Sequence, residues 1–136
     1  MDFIDEMIVK ELIEDSRLSM SELGRRIHLS APATRERVRQ LEDQGIIKRY
    51  SIELNVKKLG FPIEAIIEAT IKNNLYEDFK KKICHNSNVE FCYRIAGNAC
   101  FMLKVHFQSF DHAEQFIDGL QSLAHTKTNF IFSKII

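Results

Sequence analysis

The residues best suited to chemistry are three arginines spaced two apart in SAPATRERVRQLEDQGIIKRY, which covers positions 30–50. Arg35, Arg37 and Arg39 are strong donors to anionic oxygens, because a guanidinium keeps its charge and offers a planar set of N–H groups. On a helix with about 100° per residue, Arg35 and Arg39 lie close together and Arg37 points almost the opposite way. A function that uses all three must therefore need positive charge on two sides of the helix.

The apolar residues of the same stretch define the edge between these two flanks. Thr34, Val38 and Leu41 fall on one inward stripe, so the opposite face centres on Ala33, Glu36 and Gln40. A helix in the major groove of DNA lies between two rows of phosphates, which cations on both flanks can contact. Gln40 can then reach an adenine edge and Glu36 a cytosine amino group. The alternative for both side chains is ordinary solvation.

Charge is segregated along the chain although the net charge is zero. Residues 1–24 hold seven acidic and two basic residues, a net charge of −5, and residues 25–49 hold seven basic and three acidic residues, a net charge of +4. A concentrated basic segment is typical of a nucleic-acid surface.

Salt bridges within the helix are the alternative use of the arginines. Arg39 can pair with Glu36 or Asp43, which contributes only a few tenths of a kcal/mol. Such pairing accounts for one arginine and leaves the others, with Arg25 and Arg26, unexplained. The predicted DNA-contacting residues are Arg25, Ser30, Ala33, Thr34, Arg35, Glu36, Arg37, Arg39, Gln40 and Lys48.

Three short helices are predicted to position these residues. The first runs from the acidic N-terminus to about Glu14. The second begins with a capping-box pattern at Ser19 and ends near His28. The third begins after Ser30, a good N-cap, and Gly45 is suited to its C-terminal end. Helices joined by so tight a turn indicate a helix-turn-helix.

The domain organisation follows from a change of period. Residues 46–54 alternate as a strand, which completes a winged helix-turn-helix domain at 1–54. Residues 55–62 (NVKKLGFP) contain Gly and Pro and form the predicted linker. Residues 63–136 are predicted as a ferredoxin-like βαββαβ domain, so the fold class is α+β.

The second domain has a predicted element order and a predicted interaction face. The order is a strand at 63–72, a helix capped by Asn74, strands at 88–96 and 100–107 joined by a turn at Gly97-Asn98, a helix capped by Ser109 and a strand at 126–135. In the second strand the alternation places Val89, Phe91, Tyr93 and Ile95 on one face. Apolar residues on the face away from the helices favour a homodimer; they are Ile66, Phe101, Phe130 and Phe132.

Composition excludes several classes of protein. No apolar run is long enough to span a bilayer, and the acidic N-terminus is unlike a signal peptide, so a cytoplasmic protein without membrane partners is expected. Cys84, Cys92 and Cys100 form no C-x-x-C pair, which argues against a disulfide framework or zinc ribbon. Five scattered histidines lack metal-ligand spacing, and no catalytic set is indicated.

The whole chain resembles the Lrp/AsnC (leucine-responsive, feast/famine) regulators. Four stretches carry the resemblance: D-x-x-D-x-x-I from Asp2 to Ile8, DSRLSMSELGRRIHLS at 15–30, the E-R-V-R-Q-L-E run that leads to Gly45-Ile46-Ile47, and RIAG at 94–97. The resemblance implies a nucleoid-associated transcriptional regulator that binds double-stranded DNA as a dimer or a higher oligomer such as an octamer. It also implies a RAM or ACT-like C-terminal domain that supplies oligomer contacts and a site for an amino-acid effector. No metal or other cofactor is expected.

The effector turn of this chain departs from the family pattern. Members that bind amino acids have a turn resembling G-x-x-D-Y between the second and third strands of the domain. Here the matching positions are Gly97, Asn98, Ala99, Cys100 and Phe101, with Arg94 just before them. A thiol at Cys100 cannot offer a carboxylate to an ammonium group. The turn is therefore either an altered effector site or a plain hairpin.

Two other functions stay open at this point. A branch similar to this family contains tetrapyrrole decarboxylases, although an enzyme of that kind should not need the cationic flanks. An architectural protein that wraps DNA with little sequence preference is the second alternative, and footprint length separates it from a local regulator.

Overall fold

A computed structural model describes residues 1–136, which fold as an N-terminal unit, Met1–Glu53, and a C-terminal unit, Leu54–Ile136. The N-terminal unit contains α1 (Phe3–Glu14), α2 (Met20–Ile27) and α3 (Ala31–Asp43). Asp2, Ser19 and Ser30 are the N-caps, each accepting a backbone N–H in the first turn of its helix. The predicted helices are confirmed.

The three helices share one apolar core, and α2 and α3 approach each other closely at Gly24. The core is formed by Ile8, Leu12, Leu23, Ile27, Val38 and Leu41. A Cβ atom at Gly24 would lie 2.5 Å from the Leu29 carbonyl oxygen and 2.8 Å from Thr34 Oγ1. Only glycine allows this approach, which fixes the turn between the two helices.

The strand predicted at 46–54 is wrong. Gly45 ends α3 with φ +70°, and the N–H groups of Ile46 and Ile47 both donate to the Leu41 carbonyl oxygen, at 2.9 and 3.1 Å. Ile47 packs against the helical core, and the residues that follow are extended without strand pairing. A strand needs a neighbour for its backbone hydrogen bonds, and the N-terminal unit contains no other strand.

The C-terminal unit has the predicted βαββαβ order. Its elements are β1 (Ile63–Ile71), α4 (Tyr76–Cys84), β2 (Val89–Arg94), β3 (Phe101–Phe107), α5 (Phe110–Leu120) and β4 (Ala124–Phe130). The four strands form one antiparallel sheet in the order β2-β3-β1-β4. Side chains from both helices and from one face of the sheet make the core, which leaves the other face open. None of the five helices has the length and apolar content needed to cross a bilayer.

A β-bulge in β2 places Phe91 and Tyr93 on the face opposite to Val89, so the prediction that all three share one face is wrong. Val89 pairs with Val105 on the helix side of the sheet, but the register shifts before Phe91, which pairs with Lys104 on the open side. Phe91 and Tyr93 therefore stack on the open face with ring centroids 4.8 Å apart, whereas Val89 packs against the core. The extra residue reverses the parity of all later positions.

Of the four residues predicted on the open face, only Ile66 lies there. Ile66 lies on it, opposite Lys104. Phe101 is a core residue with 4% exposure, and Phe130 contacts Phe110 of α5 at 5.3 Å between centroids. Phe132 lies beyond β4 and is almost fully exposed.

Two element ends also differ from the prediction. Asn74 does not cap α4, because it adopts a left-handed conformation with φ +60° and Leu75 is the N-cap residue. The last strand covers Ala124–Phe130 rather than 126–135. Its start is set by pairing with β1, where Ala124 lies opposite Ile71.

Candidate nucleic-acid interface and effector pocket

Helix α3 presents the predicted polar edge to solvent. Val38 and Leu41 are buried, and Glu36 and Gln40 are exposed on the opposite side. Ala33 lies on the same exposed side, and the Ser30 hydroxyl oxygen accepts the Ala33 N–H at 3.3 Å. The edge is narrow and lacks large apolar groups, so it can approach the floor of a groove.

Thr34 is wrong as a DNA contact. Its side chain has 0% exposure, and its hydroxyl donates to the Ser30 carbonyl oxygen at 2.9 Å. The same hydroxyl lies beside the position that a Cβ at Gly24 would take. Thr34 therefore anchors α3 on α2 and has no free polar atom to offer.

Arg39 is held by acids of its own helix. Its Nη2 donates to Glu36 at 2.7 Å and its Nη1 to Asp43 at 2.8 Å. Gln40 also donates to Glu36, at 3.1 Å. These hydrogen bonds, that from Arg39 above all, lower the pKa of Glu36. The two side chains predicted to read bases are thus bonded to each other and to Arg39, and reading a base requires exchange of these bonds.

Arg37 lies on the opposite flank from Arg35, as predicted, but it contacts α1. Its Nη1 donates to both carboxylate oxygens of Asp2, at 2.7 and 2.8 Å, and to Asp5 at 3.0 Å. The Arg37 hydrogen bond is the main cause that lowers the pKa of Asp2 to about 2. Arg37 therefore ties the N-terminus of α1 to the middle of α3.

The arginines of α2 form a third paired group. Glu22 accepts from Arg25 at 2.7 Å and from Arg26 at 3.2 Å, and Arg26 also donates to Glu11 of α1 at 2.8 Å. The Arg25 and Arg26 hydrogen bonds lower the pKa of Glu22 to about 2. Arg26 thus cross-links two helices, whereas Arg25 is paired only within α2.

Three cations of the basic segment make no ion pair. Arg35 is exposed on α3, and Lys48 and Arg49 are exposed in the segment that follows it. Near this segment, the Tyr50 hydroxyl donates to Glu42 at 2.8 Å, and burial together with the Glu42 carboxylate raises the pKa of Tyr50 to about 12. Arg35 and Lys48 are accordingly the predicted contacts that are free to meet a phosphate. Arg49 was missed, although its position next to Lys48 could have indicated it.

The effector turn is only partly accessible. Gly97 and Asn98 are exposed, and Arg94 is exposed at the end of β2. Cys100 is half-buried, with its Sγ 3.8 Å from the Tyr76 hydroxyl. Phe101 is wrong as a ligand contact, because its ring packs in the core at 5.1 Å from that of Phe79.

A concavity of about 230 Å³ lies beside this turn. Two of its residues, Asn98 and Ala99, belong to the turn, and the rest come from β1 and β4: Glu68, Thr70, His125, Thr126 and Lys127. Glu68 accepts from Asn129 Nδ2 at 3.2 Å and lies 4.0 Å from Lys127 Nζ. The strand residues were missed because the pairing of β1 with β4 joins positions some 60 apart in sequence. The alternation of β1 could have indicated Glu68 and Thr70 on the open face.

Comparison with known proteins agrees with this geometry. A profile of winged helix-turn-helix DNA-binding domains matches residues 1–48, and the profile of the Lrp/AsnC ligand binding domain matches residues 64–136. The HTH-type transcriptional regulator LrpC of Bacillus subtilis is 55% identical over 135 residues, which cover 99% of this chain and 94% of the relative. The chain belongs to the Lrp/AsnC family.

Solved structures of Lrp/AsnC-type proteins share the fold. The structure of B. subtilis LrpC has a TM-score of 0.96 at 54% identity and covers 100% of this chain and 97% of its own. A Neisseria meningitidis transcriptional regulator in complex with L-methionine has a TM-score of 0.93 at 27% identity and covers 100% and 92%. This Lrp/AsnC member is a transcriptional regulator of α+β fold with an N-terminal helix-turn-helix.

The contact between Arg37 and the α1 acids predicts a pH-dependent contribution to stability. Arg37→Gln should lower the midpoint of thermal unfolding at pH 7 by a few degrees, because Asp2 and Asp5 lose their cation. The folded pKa of Asp2 lies below its ordinary value of 3.8. The stabilisation is therefore present above that value and is lost as the pH falls from about 4 toward about 2.

Circular dichroism melts at pH 7 and pH 2 measure this effect. Arg35→Gln is the matched control, because Arg35 lies on the same helix and makes no ion pair. Equal melting of the two variants at pH 7 would contradict a stabilising role for Arg37.

Proposed function

We propose that this regulator binds double-stranded DNA by placing the exposed edge of α3 in the major groove. The observation that carries the proposal is the arrangement of that edge, with Glu36 and Gln40 in its centre and the unpaired Arg35 beside it. Unpaired cations supply the salt-dependent part of DNA affinity, because they replace counterions condensed on the phosphates. Lys48 and Arg49 extend the same positive surface beyond the helix.

Arg35→Ala should weaken binding to all sequences about five- to twentyfold and make the salt dependence shallower by about one unit. Fluorescence anisotropy with a labelled duplex at several salt concentrations measures both quantities. Arg17→Ala is the control, since Arg17 is an exposed arginine in the turn between α1 and α2. If the two variants lose affinity equally, α3 is not the DNA-binding helix.

A homodimer through the open face of the sheet is the second part of the proposal. The stacked rings of Phe91 and Tyr93 lie there, with Met102 opposite Tyr93 and Ile66 two strands away on the same face, and 59% of Tyr93 is exposed. Apolar surface of this kind favours a partner subunit. Larger assemblies such as an octamer would be built from these dimers.

Tyr93→Glu should shift the protein to a smaller species, because an unpaired carboxylate would be buried at the dimer contact. Light scattering coupled to size-exclusion chromatography gives the mass directly. Gln115→Glu on the exposed side of α5 is a charge-matched control. An unchanged mass for Tyr93→Glu would place the subunit contact elsewhere.

The concavity beside the β2–β3 turn is the proposed effector site, and an α-amino acid is the proposed class of ligand. Glu68 supplies the carboxylate that the turn lacks, and Lys127 supplies a cation for the ligand's carboxylate. L-Methionine is the first compound to test, since it is the ligand in the related Neisseria structure.

Isothermal titration calorimetry with L-methionine and the other common amino acids should detect binding, and Glu68→Gln should reduce that affinity at least tenfold. Glu64→Gln is the matched control, because Glu64 lies on the same strand next to Lys104 and outside the concavity. Absence of heat with every amino acid would identify the turn as a plain hairpin.

A further inference from the structure

Arg37 contacts the N-terminus of α1 through one nitrogen of its guanidinium group. All three hydrogen bonds to Asp2 and Asp5 come from one nitrogen, Nη1, which draws the guanidinium toward α1. Two carboxylates around one guanidinium give the cluster a net charge of −1. A guanidinium whose donors are occupied by two carboxylates is not free to contact the phosphate row that Arg37 alone would attract.

The two acids are held in place independently of Arg37. Asp2 Oδ1 accepts the Asp5 N–H at 2.9 Å, and Asp5 Oδ2 accepts the Asp2 N–H at 2.9 Å, so the pair forms the capping box of α1. The positive end of the helix dipole also favours negative charge at this position. The acids therefore present fixed oxygens to Arg37, much as a phosphate group would.

The other flank of α3 differs in this respect. Arg35 makes no ion pair, whereas Arg37 is bound by acids that belong to another helix. A carboxylate and a DNA phosphate compete for the same guanidinium donors. Binding of DNA at this flank thus requires Arg37 to leave Asp2 and Asp5.

We propose that Asp2 and Asp5 act as an internal phosphate mimic that occupies Arg37 and sets the DNA affinity of the recognition helix below its maximum. The proposal rests on the proposed role of α3 in DNA binding. DNA displaces the acids from Arg37, and the freed carboxylates take up cations from solution. This uptake offsets part of the counterion release from DNA, so the salt dependence is shallower than the number of phosphate contacts implies.

Asp2→Asn tests the proposal with little risk to the fold, because asparagine is as good an N-cap as aspartate. The variant should bind DNA about two- to fivefold more tightly, which is the range that exchange of one exposed ion pair supplies, and its salt dependence should be steeper. Glu6→Gln is the matched control. It removes one negative charge from the same first turn of α1 without any contact to Arg37, and it should leave the affinity nearly unchanged.

A double-substitution cycle with Arg37→Gln completes the experiment. In the Arg37→Gln background, Asp2→Asn should have no effect on DNA affinity, because the group that the acid holds is gone. Weaker binding by Asp2→Asn, or an equal gain with Glu6→Gln, would overturn the proposal. If Arg35→Ala weakens binding while Asp2→Asn changes nothing, the DNA-binding role of α3 stands and only the phosphate mimic fails. If Arg35→Ala changes neither the DNA affinity nor its salt dependence, the DNA-binding role of α3 and the phosphate mimic are both wrong.

Discussion

The close approach of α2 and α3 at Gly24 is the constraint on which the exposed edge of α3 depends. The absence of a side chain there lets the Leu29 carbonyl and the Thr34 hydroxyl come within a distance that a methyl group would occupy. Thr34 is buried as a result, and burial of Thr34 fixes the rotation of α3 about its own axis. The exposed edge with Glu36 and Gln40 is the consequence of that rotation. A core contact therefore decides which side chains meet solvent.

Acidic residues neutralise most of the arginines of α2 and α3 in the free protein. Four of the five arginines in α2 and α3 are paired with carboxylates of the same unit, and those carboxylates are largely the acids of α1 and of the helix starts. The pairing holds the helices together and keeps the free protein from presenting a strong positive field. Exposed pairs of this type are weak, and the proposed complex with DNA would exchange them for contacts to phosphates.

Local signals in the sequence were enough to predict the helices and the caps at Ser19, Ser30 and Ser109. Ser19 and Ser30 precede amphipathic stretches, and a side-chain oxygen at an N-cap acts only on the next few backbone groups. Local sequence was also enough to predict the inward stripe of α3, because the helical period alone places Val38 and Leu41 on the side that is buried. N-caps and helical periodicity can be recognised from one or two helical turns of sequence.

Features that depend on pairing between distant segments could not be predicted. The strand at 46–54 has the right alternation but no partner strand in its unit, and alternation says nothing about partners. Phe101 follows the turn closely enough to look like a ligand contact, yet the register of β3 places it under Phe79. The partners of Arg37 lie more than 30 positions away. Glu68 and Lys127 meet only because β1 and β4 are neighbours in the sheet.

The bulge in β2 shows how little sequence change is needed to alter the surface of such a sheet. One additional residue before Phe91 turns two aromatic rings outward, and the cysteine that follows Phe91 takes the inward position instead. In a regular strand without the bulge, the same sequence would place those rings on the helix side of the sheet. One extra residue in β2 is therefore enough to move two aromatic rings from the core side of the sheet to its solvent side without a change in any other residue.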